Sequence, residues 1–164
     1  MIHTAFIALG SNLGDREGNL RGAIARIAAI GAVARVSSWY ETEPVDMTGQ
    51  PWFLNAALEL RTELEPVPLL RNLLRIEQAM GRHRDVPKGP RNIDLDLLLF
   101  DDQVINIPEL TLPHPAMHER RFVLAPLTEI APGAVHPVLR KSALTLLETL
   151  VDPAQVRRVL PLSE

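Results

Sequence analysis

Cysteine is absent from the sequence, and so is any long hydrophobic run. Without cysteine the chain can form no disulfide, and it has no thiolate to act as a nucleophile or a metal ligand. Its apolar runs fall far short of the roughly 20 residues that cross a bilayer. The first residues, Met1 to Thr4, also lack the charged and then apolar layout of a signal peptide. We therefore expect a cytoplasmic protein with no membrane partner.

A strong charge of one sign is also lacking, since the formal net charge is −3 and the isoelectric point is near 6.0. This balance argues against a surface that coats nucleic acid, so we expect no nucleic-acid partner. Any phosphate site must instead come from arginines that cluster locally. The oligomeric state is open, with a monomer favoured.

The apolar pattern predicts one domain, over residues 1–164, with both strands and helices. Strands are predicted over residues 4–9, 33–41, 52–60 and a run that ends at Phe100. Helices are predicted from Asp15 or Arg16 to about Gly31, from Pro66 to Met80, and from Ser142 to Leu150. The last helix is expected to bury Leu144, Leu147 and Val151. A long loop, Thr42 to Pro51, has the length of a functional loop.

The stretch from Gly89 to Phe100 carries the strongest chemical signal. Because successive strand residues point to opposite faces, Asp94 and Asp96 share one face. The other face is apolar and holds Ile93, Leu95, Leu97 and Leu99. Two carboxylates on such a strand are costly unless a cation satisfies them. Carboxylate pairs suit Mg²⁺, which completes its shell with water and substrate phosphates.

A basic segment comes directly before this strand. It carries two prolines, a glycine and four cations, Arg82, Arg84, Lys88 and Arg91. The simpler interpretation is a salt-bridge network between these cations and the two aspartates. The combination of mid-strand acids with a basic Gly-Pro hinge favours a metal and phosphate site instead.

Aromatic residues are scarce, at 4% of the chain, and most of them lie close together. The only tyrosine, both tryptophans and Phe53 lie between positions 39 and 53. Core packing is one explanation for this cluster. Phe53 and Asn55 share a strand face, which also suits a flat heteroaromatic ligand that stacks on a ring and hydrogen-bonds an amide.

These motifs, taken in order, resemble the 6-hydroxymethyl-7,8-dihydropterin pyrophosphokinase family. The matching residues are Gly10-Ser11-Asn12, Tyr40-x-Thr42, Leu54-Asn55-Ala56-Ala57, Ile76-Glu77, Gly81-Arg82-x-Arg84, Gly89-Pro90-Arg91-x-x-Asp94-Leu95-Asp96 and Pro113-His114. The similarity runs from about residue 4 to a helix near residue 130. It implies an α+β fold, a three-layer α/β/α sandwich on a ferredoxin-like, mainly antiparallel sheet. It also implies transfer of the diphosphate of ATP to a pterin hydroxymethyl group, with release of AMP, in folate synthesis.

The resemblance also implies roles for individual residues. Two Mg²⁺ ions would be held by Asp94 and Asp96, and the catalytic set would add Arg82, Arg84 and Arg91. ATP, the co-substrate, would contact Glu77, Arg84, Lys88, Arg91, Leu97, Thr111, His114 and Arg120. The pterin would lie between Phe53 and Phe122 and would be contacted by Asn55, Thr42, Glu43 and Val45. The loops 42–51 and 82–90 would close to exclude water.

Several positions depart from the family pattern. Lys88 lies where the family often has tryptophan, and the loop before it is one residue shorter than in another member of the family. Near the nucleotide, Pro115 replaces a tyrosine, Glu109 an arginine and Leu74 a glutamine. Phe53 replaces a tyrosine. These changes bear on loop closure and nucleotide affinity.

Two other classes fit the residues alone. One is a Mg²⁺-dependent nucleotidyltransferase of the polymerase-palm type, which would release pyrophosphate and usually needs a third carboxylate. The other is a small-molecule-binding module without activity, in which Asp94 and Asp96 form salt bridges. No acid or histidine is required by the sequence to act as general base.

Overall fold

The computed structural model describes residues 1–43, 52–81 and 92–159. Four helices accompany the strands in this part of the chain: α1 (Arg16–Ile27), α2 (Pro66–Ala79), α3 (Arg121–Ile130) and α4 (Ala143–Thr149). The strands of the main sheet are β1 (His3–Ser11), β2 (Ala32–Val36), β3 (Tyr40–Thr42), β4 (Phe53–Thr62), β5 (Asp94–Phe100) and β10 (Val156–Arg158). Two small hairpins complete the set, β6 (Ile105–Asn106) with β7 (Thr111–Leu112), and β8 (Val135–His136) with β9 (Lys141–Ser142).

The main sheet has the order β10-β3-β4-β1-β5, and β2 also pairs with β4. Every pairing in it is antiparallel. The order of β1, α1, β3, β4, α2 and β5 along the chain, with β1 between β4 and β5 in the sheet, is the ferredoxin-like arrangement. The predicted fold class is therefore confirmed.

The sheet is buried on both faces, which makes three layers. The larger core lies on the side of α1 and α2 and includes Leu20, Leu69 and Leu73 with Ile7 and Leu58 of the sheet. The smaller core lies on the opposite side and joins α3 and α4 to the sheet. Each fully buried leucine of this kind stabilises the fold by about 1.5–3 kcal/mol. No helix in the described ranges is both long and apolar enough to cross a membrane.

The predicted strand over residues 33–41 is wrong, because two strands, β2 and β3, replace it. The break lies at Ser37, whose N–H donates to the carbonyl of Ala57 at 2.9 Å. The hydroxyl of Ser37 accepts the N–H of Ala57, also at 2.9 Å. A side chain therefore takes the place of a backbone partner, which lets the chain change register between its two pairings with β4.

Three further expectations need correction. Leu99 packs in the α3 core rather than with Leu95 and Leu97, because the pairing of β1 with β5 shifts between Phe6 and Ile7. The helix α4 buries Ala143 and Leu146, whereas Leu144 is 43% exposed and Val151 lies beyond its end at 95% exposure. The apolar pattern did not predict α3, which contains Pro126. This helix is held by its buried apolar face rather than by local propensity.

Two members of the aromatic cluster, Trp39 and Tyr40, pack against helices of the fold. Trp39 lies against α1, where its Nε1–H donates to Glu17 at 3.3 Å and Arg21 lies 5.6 Å from its ring centroid. Tyr40 is buried, and its hydroxyl donates to Oε1 of Glu129 on α3 at 2.7 Å. Burial and this hydrogen bond raise the pKa of Tyr40 to about 12. For these two residues the core-packing interpretation holds.

His3 lies between two acids, and this arrangement predicts a pH-dependent stability. Its Nδ1 lies 2.7 Å from Asp101 and its Nε2 lies 2.6 Å from Glu65. The hydrogen bonds to Asp101 and then Glu65 raise the pKa of His3 above its ordinary value of 6.5, against the opposing effect of burial. A raised folded-state pKa gives stability that is complete below the unfolded-state pKa and is lost as pH rises through the folded value.

We therefore expect the free energy of unfolding to fall as pH rises from below 6.5 through the raised pKa of folded His3, and His3→Gln to abolish this fall. Urea unfolding of both proteins across this range measures the effect. Parallel stability curves for the two proteins would contradict the assignment.

Candidate active site

Three neighbouring strands bring predicted site residues into one row across the sheet. Gly10 of β1 pairs with Asn55 of β4 on one side and with Asp94 of β5 on the other. Residues opposite one another in adjacent strands direct their side chains to the same face. Because strands lie about 4.8 Å apart, Asn55 and Asp94 are roughly 10 Å apart, with only a glycine between them. Two residues along, and so on the same face, Ala8 pairs with Asp96. Ala8 packs against the α3 core, so the row lies on the α3 face of the sheet.

Gly10 is required by close approach at the centre of this row. A Cβ atom at this position would lie 2.8 Å from Nδ2 of Asn55 and 3.5 Å from Cδ1 of Phe53. The first distance is shorter than real Cβ contacts allow, so a side chain here would displace the Asn55 amide. In the sequence, Gly10 is notable only as part of the Gly10-Ser11-Asn12 motif. Its role follows from strand register, which no local pattern reveals.

Asn55 is held by hydrogen bonds from two directions. It is 7% exposed, and its Oδ1 accepts the hydroxyl of Thr42 at 2.7 Å. Its Nδ2 donates to the carbonyl of Leu9 at 3.4 Å, a long hydrogen bond by ordinary criteria. The amide is therefore oriented by Thr42, a buried residue that the resemblance assigns to direct pterin contact. Glu43 next to it accepts the N–H of Gln155 at 2.6 Å.

Two phenylalanine rings lie on the α3 side of the sheet. Phe53 is half-buried at the start of β4, and its ring edge lies beside Gly10. Phe122 is half-buried near the start of α3 and packs against the α3 core. The guanidinium of Arg120 lies 5.6 Å from the centroid of the Phe122 ring. The placement of a pterin between these two rings stays a prediction.

A cleft of about 320 Å³ opens beside β5, the last strand in the sheet order. Its lining comes from α2, β5 and the segment around β7, and consists of Leu70, Leu74, Glu77, Asp94, Leu95, Asp96, Leu97, Glu109, Leu110, Thr111, His114 and Pro115. Both aspartates are half-buried in it. The cleft therefore gathers the predicted metal ligands and four of the predicted nucleotide contacts, which are Glu77, Leu97, Thr111 and His114.

The carboxylate pair fits a magnesium site by the chemistry of its donors. In ranges 1–43, 52–81 and 92–159, no cluster of three or more histidine, aspartate or glutamate side chains is arranged to hold a metal. Two carboxylates are sufficient for Mg²⁺ when water and substrate phosphates supply the remaining ligands. Asp94 and Asp96 therefore fit a metal that binds together with a phosphate substrate.

Glu77 is a buried acid that satisfies the open edge of β5. It is 3% exposed, and its Oε2 accepts the N–H of Leu95 at 2.7 Å. Glu77 is therefore not a solvated surface charge. A backbone N–H that faced an empty strand edge would cost about 1–3 kcal/mol if left unsatisfied. Glu77 thus ties α2 to the strand that carries both aspartates.

His114 contributes a neutral ring to the cleft. Burial, and then the positive charge of Arg120, lower the pKa of His114, while the charge of Asp94 acts in the opposite direction. Its Nδ1 accepts the N–H of Ala116 at 3.2 Å. The hydrogen of the neutral ring is then on Nε2, which leaves that nitrogen as a donor. His114, Arg120 and Asp94 are thus close enough to influence one another electrostatically.

Three of the departures from the family pattern lie in this cleft. Leu74 and Pro115 line it, as does Glu109. Glu109 forms a two-point ion pair with Arg71 of α2, at 2.9 Å and 3.1 Å. This pair raises the pKa of Arg71 and offsets the negative charge that Glu109 brings to the rim.

Some predicted residues fall outside the described part of the chain. These are Val45 of the long loop and the cations Arg82, Arg84, Lys88 and Arg91. The loop-closure prediction for residues 42–51 and 82–90 also rests largely on them. The salt-bridge interpretation of Asp94 and Asp96 involves the same arginines.

The fold and the site define a ferredoxin-like α+β protein whose edge strand carries a carboxylate pair suited to Mg²⁺ and phosphate. Comparison with known proteins identifies the family to which such a protein belongs. The profile of the family described as 7,8-dihydro-6-hydroxymethylpterin-pyrophosphokinase (HPPK) matches residues 6–132. The chain therefore belongs to this family, and the resemblance found in the motifs is confirmed.

Individual relatives agree with this assignment. The 2-amino-4-hydroxy-6-hydroxymethyldihydropteridine pyrophosphokinase of Bacillus subtilis is 52% identical over 133 residues, which cover 79% of each chain. The protein of the same name from Synechocystis is 44% identical over 161 residues, covering 97% of this chain and 82% of its own. A crystal structure of Plasmodium falciparum HPPK-DHPS has a TM-score of 0.74 at 18% identity, covering 90% of this chain and 45% of that longer one. The structural likeness supports the fold, and the sequence relatives make the chain an enzyme of the pyrophosphokinase class.

Proposed function

We propose that the chain transfers the diphosphate of ATP to the hydroxymethyl group of 6-hydroxymethyl-7,8-dihydropterin, giving the pterin diphosphate and AMP in folate synthesis. The observation that carries this proposal is the row Asn55, Gly10 and Asp94 across three adjacent strands. This row sets the Asn55 amide and the Phe53 ring beside the acidic cleft. The distance between Asn55 and Asp94 is one that a small heterocycle with a hydroxymethyl group can span. The relatives of this chain carry the same activity in their names.

The nucleotide would occupy the cleft beside β5. We assign Leu97 and Thr111 to the adenine and Glu77 to the ribose, since all three line the cleft. The neutral His114 and the cationic Arg120 are assigned to the phosphates, together with Arg82, Arg84, Lys88 and Arg91. Hydrogen-bond donors and fixed cations are what phosphoryl transfer requires, because its transition state gains most from positioning and charge neutralisation.

The pterin would bind against the α3 face of the sheet. Asn55, oriented by Thr42, would bond the edge of the heterocycle, while Phe53 and Phe122 would contact its faces. An amide both donates and accepts, which suits the alternating donors and acceptors of a pterin edge. Glu43 and Val45 complete the predicted contacts.

Asp94 and Asp96 would hold Mg²⁺, with two ions on the family pattern. When bound, the metal neutralises phosphate charge and orients the transferred group. The chain's own contribution is to hold the two carboxylates on one strand, to orient both substrates in line, and to exclude water that would compete as nucleophile. We further propose that residues 1–164 form one domain that acts in the cytoplasm as a monomer.

Product analysis with ATP, Mg²⁺ and 6-hydroxymethyl-7,8-dihydropterin tests the proposal. We expect AMP that appears only when the pterin is present. ADP would indicate an ordinary kinase, and pyrophosphate would indicate the nucleotidyltransferase alternative. Binding of both ligands without turnover would favour the non-catalytic module.

A further inference from the structure

The C-terminal strand β10 lies outside the residues that the family profile matches, yet it contacts the pterin side of the site. It pairs antiparallel with β3, so that Val156 lies opposite Thr42 and Arg157 lies opposite Glu41. Thr42 is in turn opposite Phe53 of β4. The segment that holds Asn55 in orientation is therefore an inner strand rather than a sheet edge, and β10 makes it so.

Arg157 of this strand contacts residues on both sides of the 44–51 segment. Its guanidinium lies 4.7 Å from the centroid of the Trp52 ring, and its Nη2 lies 3.4 Å from Oε2 of Glu41. Trp52 directly precedes Phe53 in the chain. Arg157 thus connects Glu41 of β3 with Trp52, which directly precedes β4.

Other contacts hold the residues that flank the 44–51 segment. Arg16, at the start of α1, donates to the carbonyl of Trp52 at 2.9 Å and lies 3.9 Å from Glu41. Glu41 therefore lies between two arginines. Gln155, the residue before β10, exchanges two hydrogen bonds with Glu43, at 2.6 Å and 3.3 Å.

We propose that β10 is a positioning element for the dihydropterin, and that Arg157 is the residue through which it fixes Trp52 and Glu41. This inference rests on the proposed function, because it assigns the adjoining Phe53, Thr42 and Asn55 to the pterin. Arg157 touches neither substrate. It acts by keeping the two ends of the 44–51 segment, and thereby Phe53, in the geometry that binds the heterocycle.

Substitution of Arg157 provides the test. We expect Arg157→Ala to raise KM for the dihydropterin about three- to tenfold, the size that an exposed cation–π contact and an exposed ion pair produce together. The value of kcat and KM for ATP should change by less than about twofold. Arg157→Lys keeps the charge beside Glu41 but loses planar stacking on Trp52. Its KM for the dihydropterin should therefore lie between the values of the wild type and of Arg157→Ala. Glu41→Gln, which weakens the contacts of both arginines, should also raise the pterin KM.

Arg26→Ala is the matched control, since Arg26 is an exposed arginine in the last turn of α1. It should leave both KM values unchanged. The proposal would be overturned if Arg157→Ala left the pterin KM unchanged. It would also be overturned if the substitution lowered kcat and raised both KM values by similar factors. Equilibrium titration with dihydropterin alone, followed by tryptophan fluorescence, separates this outcome from failure of the proposed function. If the wild type binds the pterin but forms no AMP, a weaker Kd in Arg157→Ala would still support the positioning role.

Discussion

Asp96→Ala is expected to lower kcat for AMP formation on the order of 10³-fold, because the loss of one metal carboxylate removes several kcal/mol of charge stabilisation. The fold should remain intact. Asp96 is half-buried, and its pairing with Ala8 is made by backbone atoms that the substitution does not change. Initial rates with ATP, Mg²⁺ and the dihydropterin measure the effect, and urea unfolding verifies the structure.

Asp102→Ala provides a comparison, since Asp102 is an exposed acid in the turn that follows β5. It should retain the wild-type rate. Unaltered turnover in Asp96→Ala would contradict the metal assignment and would return the two aspartates to a salt-bridge role. A loss of activity together with a loss of folding would not count as support, which is why both measurements are made on each protein.

Gly10→Ala is expected to raise KM for the dihydropterin strongly while KM for ATP stays close to its original value. The added Cβ would lie 2.8 Å from Nδ2 of Asn55, so the amide must move. Its movement would disturb the 2.7 Å hydrogen bond from Thr42. Overpacking of this kind costs about 1–3 kcal/mol, which corresponds to roughly 5- to 150-fold if it is expressed in pterin affinity.

Gly133→Ala is the control for this substitution. A Cβ at Gly133 meets no atom within 4 Å, and its backbone does not have a positive φ. We expect wild-type values of both KM constants for this variant. A normal pterin KM in Gly10→Ala would show that Asn55 does not take part in pterin binding, even if the protein were less stable.

The two predictions separate the halves of the site. Asp96 lies in the cleft beside β5, whereas Gly10 lies beneath the Asn55 amide. If the proposal is correct, the first substitution reduces kcat and the second raises KM for one substrate. A pair of variants that failed in the same way would point to a shared structural defect instead.

Local periodicity predicted much of the fold. The start of α1, the bounds of α2 to within one residue and the opposite faces of Asp94 and Leu95 all follow from patterns within a few residues, whereas α1 ends at Ile27, before the predicted Gly31. The prediction failed where long-range packing overrides such patterns. The break at Ser37, the shift that moves Leu99 to the other core, and the helix around Pro126 each depend on a partner distant in sequence.

By itself the sequence determined the chemistry that this chain can offer: a carboxylate pair with alternating apolar residues, a basic segment beside it, and motif spacing that identified the family. These are properties of neighbouring residues, and strand or helix periodicity alone orders them. Only the tertiary structure decided that Gly10 lies between Asn55 and Asp94, that Glu77 is buried against Leu95, and that β10 covers β3. Register between strands more than 30 residues apart is set by which side chains both cores accept, and no local pattern contains that information.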